Sequence, residues 1–228
     1  MQRIKIMGLA LVAVAAIGAT AVSSASAVNL LVLRDSTGVV PAGTLLTAAS
    51  TNLTTVTAAG NLECEHNVLP ATLENNNATK VKSKAAEELS FGDYLGIEGA
   101  CKTSAAGPAI IITQDFPWPE EYKYSGTKKR GEVVVKGNAL GTKKVEFVSE
   151  FLALEGPKNK CTFTAAKLLS TFPVGVKGSP VPLEFTTTNQ IFKLNKKAPD
   201  TAAICPTEGK LSGNWASTDA HGTVSVEL

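Results

Sequence analysis

Val145-Glu146-Phe147-Val148-Ser149-Glu150-Phe151-Leu152-Ala153-Leu154 is the stretch whose reading decides the fold class. Val145 and Phe147 flank Glu146, the period-two alternation of a strand with one buried face. The phase then slips at Val148-Ser149, which predicts a β-bulge there. A helix would instead place Phe147 and Phe151 on one face, but Gly141 and Gly156-Pro157 bound the segment at strand length.

The same texture extends in both directions. Toward the amino end, short runs rich in Val, Ile, Thr and Leu read as strands over 29–34, 43–47, 53–57, 61–65, 71–74 and 79–83, separated by Gly, Pro or Asn. Ile110-Ile111-Ile112 and Val133-Val134-Val135 are apolar on both faces and predict centrally placed strands. Toward the carboxyl end, Cys161, Phe163 and Ala165 share a face opposite Thr162 and Thr164, and Leu183 and Phe185 repeat the period. Leu211, Gly213 and Trp215 read as one arm of a closing hairpin, Val224, Val226 and Leu228 as the other, with 217–222 connecting them. Helix is scarce: Lys84–Leu89 and Ala165–Leu169 could each form a turn or two. Strands without intervening helices imply antiparallel pairing, and so many must fold into two packed sheets or a closed barrel to hide their apolar faces. The expected fold is an all-β antiparallel sandwich with little helix, a closed β-barrel being the alternative.

The first six residues, MQRIKI, carry Arg3 and Lys5 and no acid, and an apolar run from Met7 to Val22 follows. Small residues at Ala25 and Ala27 complete the pattern of a cleavable secretory signal, with cleavage expected after Ala27. The run is shorter than the roughly 20 apolar residues a spanning helix needs. The remainder, 28–228, is expected to be one β-rich domain without a membrane span, with 103–108 the best candidate for an internal boundary. The chain has 22 Lys and Arg against 20 Asp and Glu, so losing Arg3 and Lys5 leaves the mature domain formally neutral. Nucleic-acid binding would need a sustained positive field and is not expected. The short basic runs at 128–130, 143–144 and 196–197 sit beside turn residues and read as solvated loop tips.

Cys64, Cys101, Cys161 and Cys205 are an even set in an exported chain, which reads as two disulfides. Three pairings exist. Cys64 with Cys101 and Cys161 with Cys205 are expected, because each pair brackets a contiguous block of strand-like segments. No C-x-x-C occurs and the two histidines lack zinc-finger spacing, so no metal site is expected.

Catalytic constellations are absent from the sequence. His66 would share a face with Cys64 on a strand, but a ligand set needs more than Glu63 or Glu65 beside it. His221 and Asp219 have no G-x-S-x-G nucleophile to serve, and Ser125-Gly126-Thr127-Lys128 matches S-x-x-K only in letters, since Gly126 favours a loop over a helix. Glu120 and Glu121 follow Pro117-Trp118-Pro119, and carboxylates beside an indole invite a glycosidase reading. Adjacent strand residues point to opposite faces, which argues against it. Trp118, Glu120 and Glu121 are the ligand-facing candidates, Trp118 being expected at the periphery; no catalytic residue and no cofactor is assigned.

Leu62-Glu63-Cys64-Glu65, Phe116-Pro117-Trp118-Pro119, Cys161-Thr162-Phe163, Ile204-Cys205-Pro206 and the closing LSGNWAS (211–217) and GTVSVEL (222–228) together resemble uncharacterised exported four-cysteine proteins that occur as many paralogues in some soil actinobacteria. The resemblance covers most of the mature chain. It implies secretion, two disulfides and a β fold, and it implies no activity.

The functional expectation is a secreted or cell-envelope binding or surface protein, non-enzymatic, with a cell-surface or glycan partner. The alternative is a secreted hydrolase acting on cell-wall or environmental polysaccharide. A third reading, a small-ligand carrier, needs an interior cavity.

Overall fold

The computed structural model describes residues 29–57, 60–85, 91–104, 107–138, 143–152, 160–198 and 205–228; the segment read as a secretory signal and most of Lys84–Leu89 lie outside them. A hairpin of β1 (Val32–Asp35) and β2 (Gly38–Val39) leads into β3 (Leu45–Ser50), β4 (Leu53–Thr57), β5 (Gly60–Cys64), β6 (Asn67–Asn75) and β7 (Lys80–Ala85). The small hairpin β8 (Asp93–Tyr94) and β9 (Ile97–Glu98) precedes β10 (Ala100–Thr103), β11 (Ala109–Gln114), β12 (Trp118–Ser125), β13 (Arg130–Val135), β14 (Val145–Phe151), β15 (Lys160–Ala165) and β16 (Leu168–Phe172). Then come β17 (Val181–Pro182), the long strands β18 (Glu184–Leu194) and β19 (Glu208–Asp219), β20 (Gly222–Thr223) and β21 (Ser225–Glu227). The described residues contain no helix, and these strands pair antiparallel throughout.

The pairing follows the chain in a simple meander of eight crossings. Six crossings are two strands with a break between them: β3 with β4, β5 with β6, β7 with β10, β11 with β12, β13 with β14, and β15 with β16. The other two are β18 and β19, whose mutual register shifts between Thr187 and Gln190. Sequential neighbours pair along both halves, and β19 closes the ladder by pairing with β3 through Ala216–Thr218 and with β4 through Gly209–Ser212. The breaks have local causes. Asp115, in the left-handed region at φ 62°, and the cis Phe116–Pro117 peptide part β11 from β12, and His66 at φ 55° parts β5 from β6.

Two circuits result. The upper one uses β3, β6, β7, β12, β13 and β16, the lower one β4, β5, β10, β11, β14 and β15, and each is completed by half of the β18–β19 ribbon. Facing walls pack across an apolar interior, so the antiparallel sandwich expected from alternation is present, with its edges joined through the ribbon. A four-stranded sheet ordered β17-β21-β1-β2 packs with the upper circuit, where Leu31, Leu33, Leu183, Val224 and Val226 are buried with Leu73, Val81 and Phe172.

Several local expectations change. β14 pairs in unbroken register with β11 from Ala109↔Phe151 to Gln114↔Glu146 and with β15 from Val145↔Ala165 to Glu150↔Lys160, so no bulge lies at Val148-Ser149. Ala165–Leu169 is a strand end, a turn and a strand start, because Leu168 and Leu169 pair with Val135 and Val134. The closing hairpin is shorter than expected: β19 runs to Asp219 and turns at Ala220-His221 into β20, after which β21 leaves to pair with β1 and β17. Val226 therefore belongs to the four-stranded sheet, and it and Val224 are buried with the upper-circuit core rather than on a strand paired with that of Trp215. The candidate boundary at 103–108 falls in sequence between β10 and β11, and Ala105 and Ala106 lie outside the described residues.

Candidate functional site

Alternation along the lower circuit sends one set of side chains inward. Leu53 and Thr55 of β4, Leu62 and Cys64 of β5, Ile111 of β11, Phe147 and Ser149 of β14, Cys161 and Phe163 of β15, Phe192 of β18 and Leu211 of β19 meet around a cavity of about 470 Å³. All eight strands of the circuit contribute. Phe91, which precedes β8, and Phe151 bring the lining phenylalanines to five, and no charged side chain lines the space. Gly209 also faces it: a Cβ there would stand 2.9 Å from Thr55 Cγ2, so glycine keeps that wall thin.

The expected disulfide pairing is the observed one, and both bridges belong to the lower circuit. Cys64 and Cys101 sit on adjacent strands with Cα atoms 4.5 Å apart, the spacing of a directly opposed pair. Cys161 ties β15 to Cys205 just before β19. Paired cysteines and no free thiol fit maturation in an oxidising compartment.

Hydroxyl groups on the lumen differ in how they are held. Thr57 Oγ1 donates to the Gly60 carbonyl at 2.6 Å, and Thr103 Oγ1 donates to the Gly107 carbonyl. Ser149, buried between Phe147 and Phe151 on the inward face of β14, makes no side-chain hydrogen bond with a described residue.

The upper interior is nearly filled, with a void of only about 70 Å³. Trp118 and Glu120 face it. Trp118 is core rather than peripheral: its indole is 1% exposed, stacks on Phe116 with centroids 4.6 Å apart and donates from Nε1 to the Gln114 carbonyl at 2.9 Å. Pro117 and Pro119 thus hold an aromatic anchor in the strand path, not an exposed loop. Glu120 is buried and accepts from the Ser83 hydroxyl and, at 2.7 Å, from Tyr122 Oη. Burial pushes its carboxyl above the usual range against the pull of those two donors. Burial first, and the adjoining Glu120 second, push the Tyr122 phenol well above its ordinary value. Glu121 lies on the opposite face and pairs with Lys80 at 3.2 Å. The two carboxylates do not converge.

The remaining singled-out groups are scattered. His66 is exposed in the break after β5, off the Cys64 face it would share on a strand. His221 is exposed in the β19–β20 turn, where its backbone N–H donates to Asp219 Oδ1. Ser125 and Lys128 fall in the β12–β13 turn, and Lys128 Nζ pairs with Glu132 at 2.7 Å. Among the described residues no group of three or more His, Cys, Asp or Glu could hold a metal ion, and no helix is long and apolar enough to cross a membrane.

The sequence named the candidates next to charge and indole and missed the lumen. Its signal was the phenylalanine series at inward positions of β14, β15 and β18, interrupted by one serine. Comparison of the chain with protein-family models, with curated proteins and with solved structures found no match to any of them.

Proposed function

We propose that this chain is an exported binding protein that carries a small, uncharged, apolar molecule in the lumen of its lower circuit. The observation that carries the reading is the 470 Å³ space itself, ringed by five phenylalanines and free of lining charge. Binding pockets of this kind are concave, mostly apolar and furnished with few polar groups. A void of about 150 Å³ takes benzene, so this one has room for roughly 15–20 non-hydrogen atoms. An ionised head group would lose its hydration in the lumen with no opposite charge on the wall, which selects neutral ligands. Export rests on the leader, on the paired cysteines and on the likeness to exported four-cysteine proteins. The glycan reading loses its main support with the indole of Trp118 enclosed, and the hydrolase reading with Glu120 and Glu121 on opposite faces.

Titration with N-phenyl-1-naphthylamine, a neutral probe that brightens in apolar surroundings, tests the proposal. The mature protein should bind one equivalent, and the sulfonated analogue 1-anilinonaphthalene-8-sulfonate at least tenfold more weakly. Thr55→Trp, which projects an indole into the lumen, should abolish uptake while preserving both disulfides. Absence of neutral-probe binding, or binding indifferent to Thr55→Trp, refutes it.

A further inference from the structure

We infer that the molecule held in the lumen carries one hydrogen-bonding oxygen, a hydroxyl or a carbonyl, and that Ser149 Oγ is the group it meets. The inference rests on the lumen being a binding site and narrows what that site takes. Ser149 is 8% exposed and lines the cavity, yet no hydrogen bond joins its side-chain hydroxyl to a described residue. Its register partners are Ile111 on β11 and Cys161 on β15, which offer it only apolar surface or sulfur. Of the other lumen hydroxyls, Thr57 and Thr103 donate to the Gly60 and Gly107 carbonyls, and Thr55 is only half-buried, whereas Ser149 is buried.

Ser149 lines the cavity from the inward face of β14, where a molecule seated in the lumen can reach its hydroxyl and pair with it. A serine hydroxyl both donates and accepts, so a ligand hydroxyl or carbonyl satisfies it equally. A site built to pair one oxygen rejects the analogue lacking it more strongly than an apolar pocket rejects a missing methylene. The strand carrying Ser149 stands opposite β4 in the circuit, so Thr55 faces it from the far wall and bounds the ligand's width.

The probes are 2-naphthol and 2-methylnaphthalene, matched in shape and differing in one oxygen, each measured by calorimetry on the mature, disulfide-intact protein. The wild type should bind 2-naphthol at least tenfold more tightly than 2-methylnaphthalene. Ser149→Ala should abolish or reverse that preference while leaving 2-methylnaphthalene affinity within about twofold, and Ser149→Thr, which keeps the hydroxyl, should restore it. A naphthol preference unchanged in Ser149→Ala, or absent from the wild type while 2-methylnaphthalene still binds, overturns the role of Ser149 and leaves the lumen reading standing. Failure of both naphthalenes to bind removes both.

Discussion

Replacing Glu120 by glutamine isolates, among the described residues, a carboxyl that burial holds above its ordinary range. Glu120 is 4% exposed and has two hydroxyls beside it, Ser83 and Tyr122, and burial holds its pKa above the ordinary 4.5. The sign follows from linkage. Below about pH 4.5 the side chain is protonated in both the folded and the unfolded chain and contributes no pH dependence. Above it the unfolded chain releases the proton first, and each further pH unit costs the fold about 1.4 kcal/mol until the pH passes the raised folded value. Glutamine keeps an oxygen that accepts from Ser83 and Tyr122 and cannot ionise. Glu120→Gln should therefore match the wild type within about 1 kcal/mol at pH 4. It should then gain on the wild type by about 1.4 kcal/mol per unit as the pH rises through the window that opens at 4.5. Urea unfolding at pH 4, 5, 6 and 7, followed by tryptophan emission, gives both curves. Parallel curves across that range would refute the reasoning, because they would mean that this carboxyl ionises as readily inside the fold as outside it.

Glu227 works in the opposite sense: Arg34 Nε at 2.5 Å holds its carboxyl below the usual range, so its contribution is present above pH 4.5 and lost as the pH falls. Glu227→Gln should flatten the acid limb of the stability curve, and an unaltered limb in acid titration by circular dichroism counts against it. Replacing Cys161 and Cys205 by alanine removes a link spanning 44 residues and should cost at most about 4 kcal/mol. Amide exchange should then accelerate in β14 and β15 before β12 and β13. Gly131→Ala drives a Cβ to 2.1 Å from the Phe172 ring and should lower the unfolding free energy by about 1–3 kcal/mol, read in urea.

Alternation made the strands legible, because a side chain's face is fixed by parity. Leu53–Thr57 falls on β4 at both ends, and Val133-Val134-Val135 is buried on both faces. The disulfide partners were legible for a topological reason: a meander keeps sequence neighbours adjacent, so cysteines bracketing one block meet. The closure of the ladder was not legible, since no local pattern records that β19 pairs with β3, β4 and β18 at once. Proline misled at Trp118, where a rigid pair of flanking rings serves a buried strand as well as a loop. The most informative error concerns Val148-Ser149. Its phase slip is one polar residue on the inward face opposite an apolar one on the outward face, within regular register. A slip of that kind marks either a bulge or a polar group placed where the core is missing, and the register decides for the second.

The two circuits are one meander with two different interiors. The upper closes on a packed core of Leu73, Val81, Tyr122 and Phe172, and the lower closes around a cavity of about 470 Å³. Side chains lining that cavity lack the apolar neighbours that the upper core supplies. Chain-entropy arithmetic gives the two disulfides, spanning 37 and 44 residues, about 4 kcal/mol each, and both lie in the circuit that lacks the packing. On the proposed reading, a ligand seated in the lumen would add contacts to the circuit that the two disulfides already brace, and its binding should raise the unfolding midpoint of that circuit.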